Sequence, residues 1–217
     1  MSIDAWDAKP FPCCIHMIHE PVNTIEELDR ALFRQSAIAV ARQLLGLYLV
    51  HETRSGTTVG KIVETEAYCQ DDPAAHTYRG MTARNKAMFG PAGHAYIYHM
   101  HGHHCVNCTA GPDGYGAGCL LRALESVAGI DLMQKRRGVE DEPALCSGPG
   151  KLAQAMGITM AQYGSDLLDA GSPLRLERPQ SAENSKLCKP HESAFPGRST
   201  SNGAFISREI RMYPGNS

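Results

Sequence analysis

From Ser36 onward, apolar residues recur at Ala37, Val40, Ala41, Leu44 and Leu45, the i, i+3, i+4, i+7, i+8 spacing of one helix face. Ser36 supplies the N-cap and Gly46 the stop. The pattern then shortens to strands: Leu47–His51, a turn at Arg54-Ser55-Gly56, and a longer strand from Val59 to about Tyr68. Gly90-Pro91-Ala92-Gly93 turns the chain into a strand over Tyr96–Met100, and the Gly-rich loop Gly111–Gly118 leads into a strand at Cys119–Ala123. A helix is expected over Leu124–Arg137 and a short one near Lys151, followed by strand-like Leu174–Leu176 and a final strand at Ile210–Tyr213. Residues 1–30 hold Pro10, Pro12 and Pro21 and no sustained period, so they read as an arm ahead of a domain spanning 31–217. The expected architecture is α+β in a single domain, with an antiparallel or mixed β-sheet and surrounding helices.

Length and composition narrow the class. The 217 residues suit one domain, and 42% hydrophobic against 20% charged residues allows a substantial core. No apolar run reaches the ~18 residues of a membrane span, and the first residues carry acids where a signal peptide has bases. Eight cysteines in such a chain read as reduced thiols of an intracellular protein. The formal charge of −2 hides an asymmetry: residues 1–30 hold six acids and two bases, leaving 19 bases and 17 acids in the rest. Nucleic-acid binding would therefore depend on local groups rather than on bulk charge.

Two stretches carry candidate chemistry. In Ile62-Val63-Glu64-Thr65-Glu66-Ala67-Tyr68, strand alternation puts Ile62, Glu64, Glu66 and Tyr68 on one face and Val63, Thr65 and Ala67 on a core-like face. A carboxylate against an aromatic wall can act as a general base, although two glutamates on a solvated strand face fit the pattern equally. The stretch from Tyr96 to Cys108 and the preceding His94 together hold five of the ten histidines. His99, His101 and His103 could share a strand face with Cys105 in phase, which invites a zinc reading. The spacing matches no closed site, because Cys105-x-x-Cys108 lacks a second pair. Tyr98 and Asn107 suggest instead an aromatic platform with an amide that tests the edge of a planar ligand. Gly148-Pro149-Gly150-Lys151-Leu152 lacks the first glycine and the hydroxyl of a nucleotide-binding loop. It can still hold one backbone phosphate, or serve simply as a helix entry.

Taken in order, these stretches resemble the 3-methyladenine DNA glycosylase family of the alkyladenine type. The shared pattern runs through Ala41–Gly46, Ile62–Tyr68, Ala74-Ala75-His76, Thr82–Asn85, Met88–Gly90, Tyr96–Tyr98, Asn107, Leu120–Glu125 and Cys146–Leu152. The resemblance implies a monofunctional hydrolase of base excision repair that acts on double-stranded DNA with damaged purines, as a monomer, with no metal, no organic cofactor and no membrane. Such an enzyme extrudes the nucleotide from the duplex before acting on it. The resemblance implies that Tyr68, His76 and Tyr98 sandwich the purine, that Glu66 activates the attacking water, and that Arg122 orients it. It makes Asn107 the residue that disfavours guanine's exocyclic amine. It also implies a protruding β-hairpin, with His101 where relatives carry a wedging tyrosine. Arg84 and Lys151, with Arg79, Lys86, Lys135, Arg136 and Arg137, are expected on the DNA face. The alternatives are a His/Cys metal-binding protein and an inactive damaged-DNA-binding module.

Overall fold

The computed structural model describes residues 28–179 and, for the backbone alone, Ile210–Arg211. Most of the arm and the end of the expected last strand lie outside the described residues. Leu28 packs into the core and Asp29 caps the one-turn helix α1 (Arg30–Phe33), its carboxylate accepting from the Ala31 N–H. Helix α2 (Ala37–Leu44) starts where its sequence predicts. Ser36 Oγ accepts from the Ala39 N–H at 3.3 Å, and Ala37, Val40, Ala41 and Leu44 form the buried face.

Strands β1 (Tyr48–Thr53), β2 (Gly56–Tyr68), β3 (Ala95–Met100), β4 (His103–Thr109), β5 (Gly118–Ala128) and β6 (Leu174–Glu177) build one sheet in the order β3-β4-β5-β2-β1-β6, every adjacent pair antiparallel. The short β7 (Ile210–Arg211) runs parallel to β2 beside Thr65 and Glu66, beyond the point where β1 stops pairing at Lys61. The sheet is therefore mixed. Helices α3 (Ile130–Arg137), α4 (Glu142–Leu145) and α5 (Pro149–Met156) follow β5, completing the α+β fold.

Strand alternation fails at one place in β2. Ile62 pairs with Leu124 and Thr65 with Leu121, but Glu64 pairs with Ala123, so Val63 and Arg122 are each an unpaired extra residue. This double bulge turns the strand over. Ile62 packs in the main core with α2, as do Leu121 and Leu124, and Thr65 Oγ1 donates to the Ala41 carbonyl at 2.9 Å. That carbonyl is one of the four a helix C-terminus leaves unpaired. Ile62 consequently does not share a face with Glu64, Glu66 and Tyr68. Bulges of this kind re-aim side chains near functional sites.

A second correction concerns Leu124–Ala128, which continue β5 instead of opening a helix. Pairing with Gly60 and Lys61 on β2 overrides the helix preference of Leu, Glu and Ala. Gly129 then breaks the strand at φ +72°, where a Cβ would run into the Thr57 carbonyl oxygen, and α3 begins at Ile130. Gly129→Ala should therefore destabilise the fold by about 2 kcal/mol or more. Urea unfolding checks this; an unchanged midpoint would show that the backbone adjusts freely there.

Candidate active site

The double bulge leaves one face of the sheet outside the main core. Tyr96 pairs with Asn107, Asn107 with Leu120 and Leu120 with Glu66, a row crossing β3, β4, β5 and β2. Alternation gives the members of such a row a common face. Around it Met88, Tyr96, Tyr98, Cys105 and Leu120 form a second buried cluster, with Tyr68, Phe89 and Tyr163 packed against it.

Glu66 stands in this row and is only 2% exposed. Arg122 reaches it from the bulge, with Nη1 3.2 Å from Glu66 Oε2 and Nε 3.9 Å from Glu64 Oε1. The nearer contact is ionic without hydrogen-bond alignment: among the described residues, neither Glu66 Oε2 nor Arg122 Nε has a hydrogen-bond partner. Burying a charge is costly unless it is paired, so the guanidinium offsets the burial of the carboxylate. A buried acceptor oxygen beside an aromatic wall remains able to bind a donor.

His76 closes the ring-lined side. Its Nδ1 lies 2.9 Å from Tyr96 Oη, and its ring meets Tyr98 edge-on with centroids 4.6 Å apart. Burial pushes the Tyr96 phenol up to about 12 and the Tyr98 phenol higher still, so both stay protonated. Burial, helped by the charge of Arg84, holds His76 below its usual value and favours the neutral ring. Tyr96 can then donate to Nδ1, leaving the ring proton on Nε2. Buried Asn85 fixes the loop before it: its amide donates to the carbonyls of His76 at 2.8 Å and Gly80 at 3.1 Å, and its side-chain oxygen accepts from the Thr82 N–H. Tyr163 Oη donates to the Arg84 carbonyl at 3.1 Å and accepts from the Ala87 N–H at 3.0 Å. Arg84 itself lies with Cζ 5.5 Å from the Tyr98 ring centroid. Asn107 is buried and its amide donates to the Tyr96 carbonyl at 3.1 Å. A cleft of about 340 Å³ lies along this loop, lined by His76, Tyr78, Arg79, Arg84 and Tyr96 among others. Glu66 does not line it; His76 and Tyr96 do, and Tyr96 belongs to the row as well.

Structure thus brings together Glu66, Arg122, Tyr68, His76, Tyr98, Asn107 and Arg84. His101 and Lys151 stand apart from that group. The chain reverses at His101-Gly102, both with positive φ (50° and 81°), the pattern of a tight two-residue hairpin turn. The reversal means that His99, His101 and His103 do not line one strand face, as the zinc reading required. Among the described residues no three His, Cys, Asp or Glu converge on a common point. A Cβ on Gly150 would sit 2.9 Å from His103 Cβ, so the hairpin and the start of α5 adjoin; exposed Lys151 donates to Ser147 Oγ at 3.1 Å.

Two of the cations expected on the DNA face also bond within the protein. Arg136 donates to the Ala155 carbonyl near the end of α5, and Arg137 to the Leu145 carbonyl and the Gln154 side chain. Both serve the packing of α3 on its neighbours, whereas Arg79, Lys86 and Lys135 are exposed. Sequence reasoning missed Tyr96, Asn85 and Tyr163. Tyr96 was signalled by its alternation with Tyr98; the other two act through loop closure, which leaves no local pattern.

The chain matches the family model described as methylpurine-DNA glycosylase over residues 31–191. The chain belongs to that family. Methylpurine-DNA glycosylases are DNA glycosylases of base excision repair and hence hydrolases that act on DNA. A relative from Methanoculleus marisnigri, named "Putative 3-methyladenine DNA glycosylase", is 54% identical over 70% of this chain and 78% of its own. Relatives of the same name from Agrobacterium fabrum (48% identical, 72% of this chain and 78% of theirs) and Rhodopseudomonas palustris (45%, 78% and 79%) are similar to it too. No helix among the described residues is long and apolar enough to cross a membrane.

The charge of Arg84 should be legible in His76. Replacing it in Arg84→Gln removes a cation that disfavours a second one, so the His76 midpoint moves upward. Ring-proton NMR titration measures it; an unmoved midpoint would separate the two residues.

Proposed function

We propose that this glycosylase removes alkylated or deaminated purines of the 3-methyladenine, 7-methylguanine and hypoxanthine class from duplex DNA, leaving an abasic site. The observation that carries the reading is the Glu66 carboxylate, buried on a ring-lined face and 3.2 Å from Arg122. A base stacked in a duplex cannot reach such a face, so the nucleotide is extruded first, at a cost of a few kcal/mol in lost stacking. Tyr68 on one side and His76 with Tyr98 on the other receive the purine, and aromatic faces favour a cationic alkylated base. Asn107, at the floor of the row, tests the purine edge and disfavours guanine's amino group.

Glu66 then positions a water and takes its proton as the oxygen bonds to the anomeric carbon. The glycosidic bond breaks with its electron pair passing to the purine. The carboxylate also stabilises the oxocarbenium-like transition state, as carboxylates do in glycoside cleavage. Arg122 keeps the carboxylate aimed. No lysine is needed for this sequence of events, so strand cleavage does not follow. His101 at the hairpin turn wedges the duplex while Arg84 and Lys151 hold phosphates, and the protein acts as a monomer.

Glu66→Gln keeps the shape of the site and removes the base. It should retain binding to damaged duplex while base release falls by about 10²-fold or more. Single-turnover excision from a duplex with one hypoxanthine or 3-methyladenine measures this; a near-normal rate would contradict the role of Glu66. His101→Ala should weaken retention on damaged duplex more than on the same single strand. Equal losses on both would remove the wedge.

A further inference from the structure

Among the described residues, the three histidines outside the hairpin are tied down by their ring nitrogens. His51 Nδ1 lies 2.8 Å from the Met156 carbonyl, His76 Nδ1 binds Tyr96 Oη, and His94 Nδ1 lies 3.3 Å from Arg30 Nη1. The hairpin histidines differ: among the described residues, none of the ring nitrogens of His99 and His104 has a hydrogen-bond partner. These two are cross-strand neighbours on β3 and β4, one pair back from Met100 and His103, which flank the turn. His99 is exposed and His104 half-buried, and their ring centroids are 5.2 Å apart with planes inclined by 65°. Two imidazoles bound to one tetrahedral zinc, each nitrogen about 2.0–2.1 Å from the ion, hold their centroids about 5 Å apart. The observed pair already has that separation, and rotation of the two rings about their side-chain torsions is what would aim one nitrogen of each at a shared ion.

We propose that His99 and His104 form a divalent transition-metal site that clamps the two strands of the hairpin, with zinc as its borderline-soft representative and water completing the coordination. Neutral imidazole is a preferred ligand for such ions, and two protein ligands hold an ion more weakly than the four of a structural zinc site. The site lies on the hairpin, separate from Glu66 and Arg122. It is thus an exchangeable ion site and takes no part in base release.

The test uses the tag-free full-length chain, stripped with chelator and titrated with zinc chloride near pH 7.5, beside the double variant His99→Ala/His104→Ala. Cys13, Cys14, His16 and His19 lie outside the described residues and can bind zinc themselves, so the two chains are compared directly. The wild-type chain should take up one more equivalent than the double variant, each single substitution should weaken that site about tenfold, and His101→Ala should leave it unchanged. Substoichiometric copper(II) should broaden the amide resonances of residues 98–105 in the wild type and spare them in the double variant. Equal stoichiometry in the two chains, or broadening confined to other segments, overturns the proposal. A further arm rests on the placement of DNA proposed above. Zinc should weaken retention on damaged duplex in the wild type but not in the double variant. If the ion binds as expected and duplex retention ignores it, the ion site stands and the placement of DNA on the hairpin fails.

Discussion

A carboxylate almost sealed from solvent and a guanidinium reaching it from the next strand set the terms for this structure. Each charge alone would be costly on a ring-lined face, so the pair has to form together. An uninterrupted ladder would hold Arg122 directly across from Glu64. Releasing Arg122 from the ladder, with Val63 released opposite it, lets the guanidinium lean between Glu64 and Glu66. The same irregularity turns Ile62 and Leu124 toward α2, so one local defect serves both the core and the site.

The rest of the site is arranged around that pair by stiff groups. Tyr96, Asn107 and Leu120 are fixed by strand register, and His76 is held through Tyr96 Oη and through the Asn85 knot behind it. The phenols stay protonated and His76 favours its neutral form, so the face offers ring surfaces and hydrogen-bond donors without further charge. Positive charge is supplied at the margin by Arg84 over Tyr98 and Lys151 at the start of α5, while Arg136 and Arg137 are committed to packing.

Much of this was readable along the chain because it depends on short-range rules. Ser36 and Gly46 bound α2 as cap and stop, and the alternation of Glu64, Glu66 and Tyr68 survives in β2. Alternation misassigned Ile62 because a bulge inserts a residue that no local pattern announces. Leu124–Ala128 were misread because pairing with β2 outweighs their helix preference. The run Lys135-Arg136-Arg137 resembled a free basic patch until the carbonyl ends of neighbouring helices claimed two of its members. Asn85 stood in a quoted stretch without a role, and Tyr163 in none, for a related reason: each satisfies backbone groups in a loop whose closure depends on the whole fold.

The most direct measurement is a crystal structure of the protein bound to duplex DNA carrying one damaged purine. The account predicts the purine swung out between Tyr68 and the rings of His76 and Tyr98, with its anomeric carbon one water molecule from the Glu66 carboxylate. A purine still stacked in the helix, or lodged among Tyr78, Arg79 and Arg84 away from the Glu66 carboxylate, would contradict it.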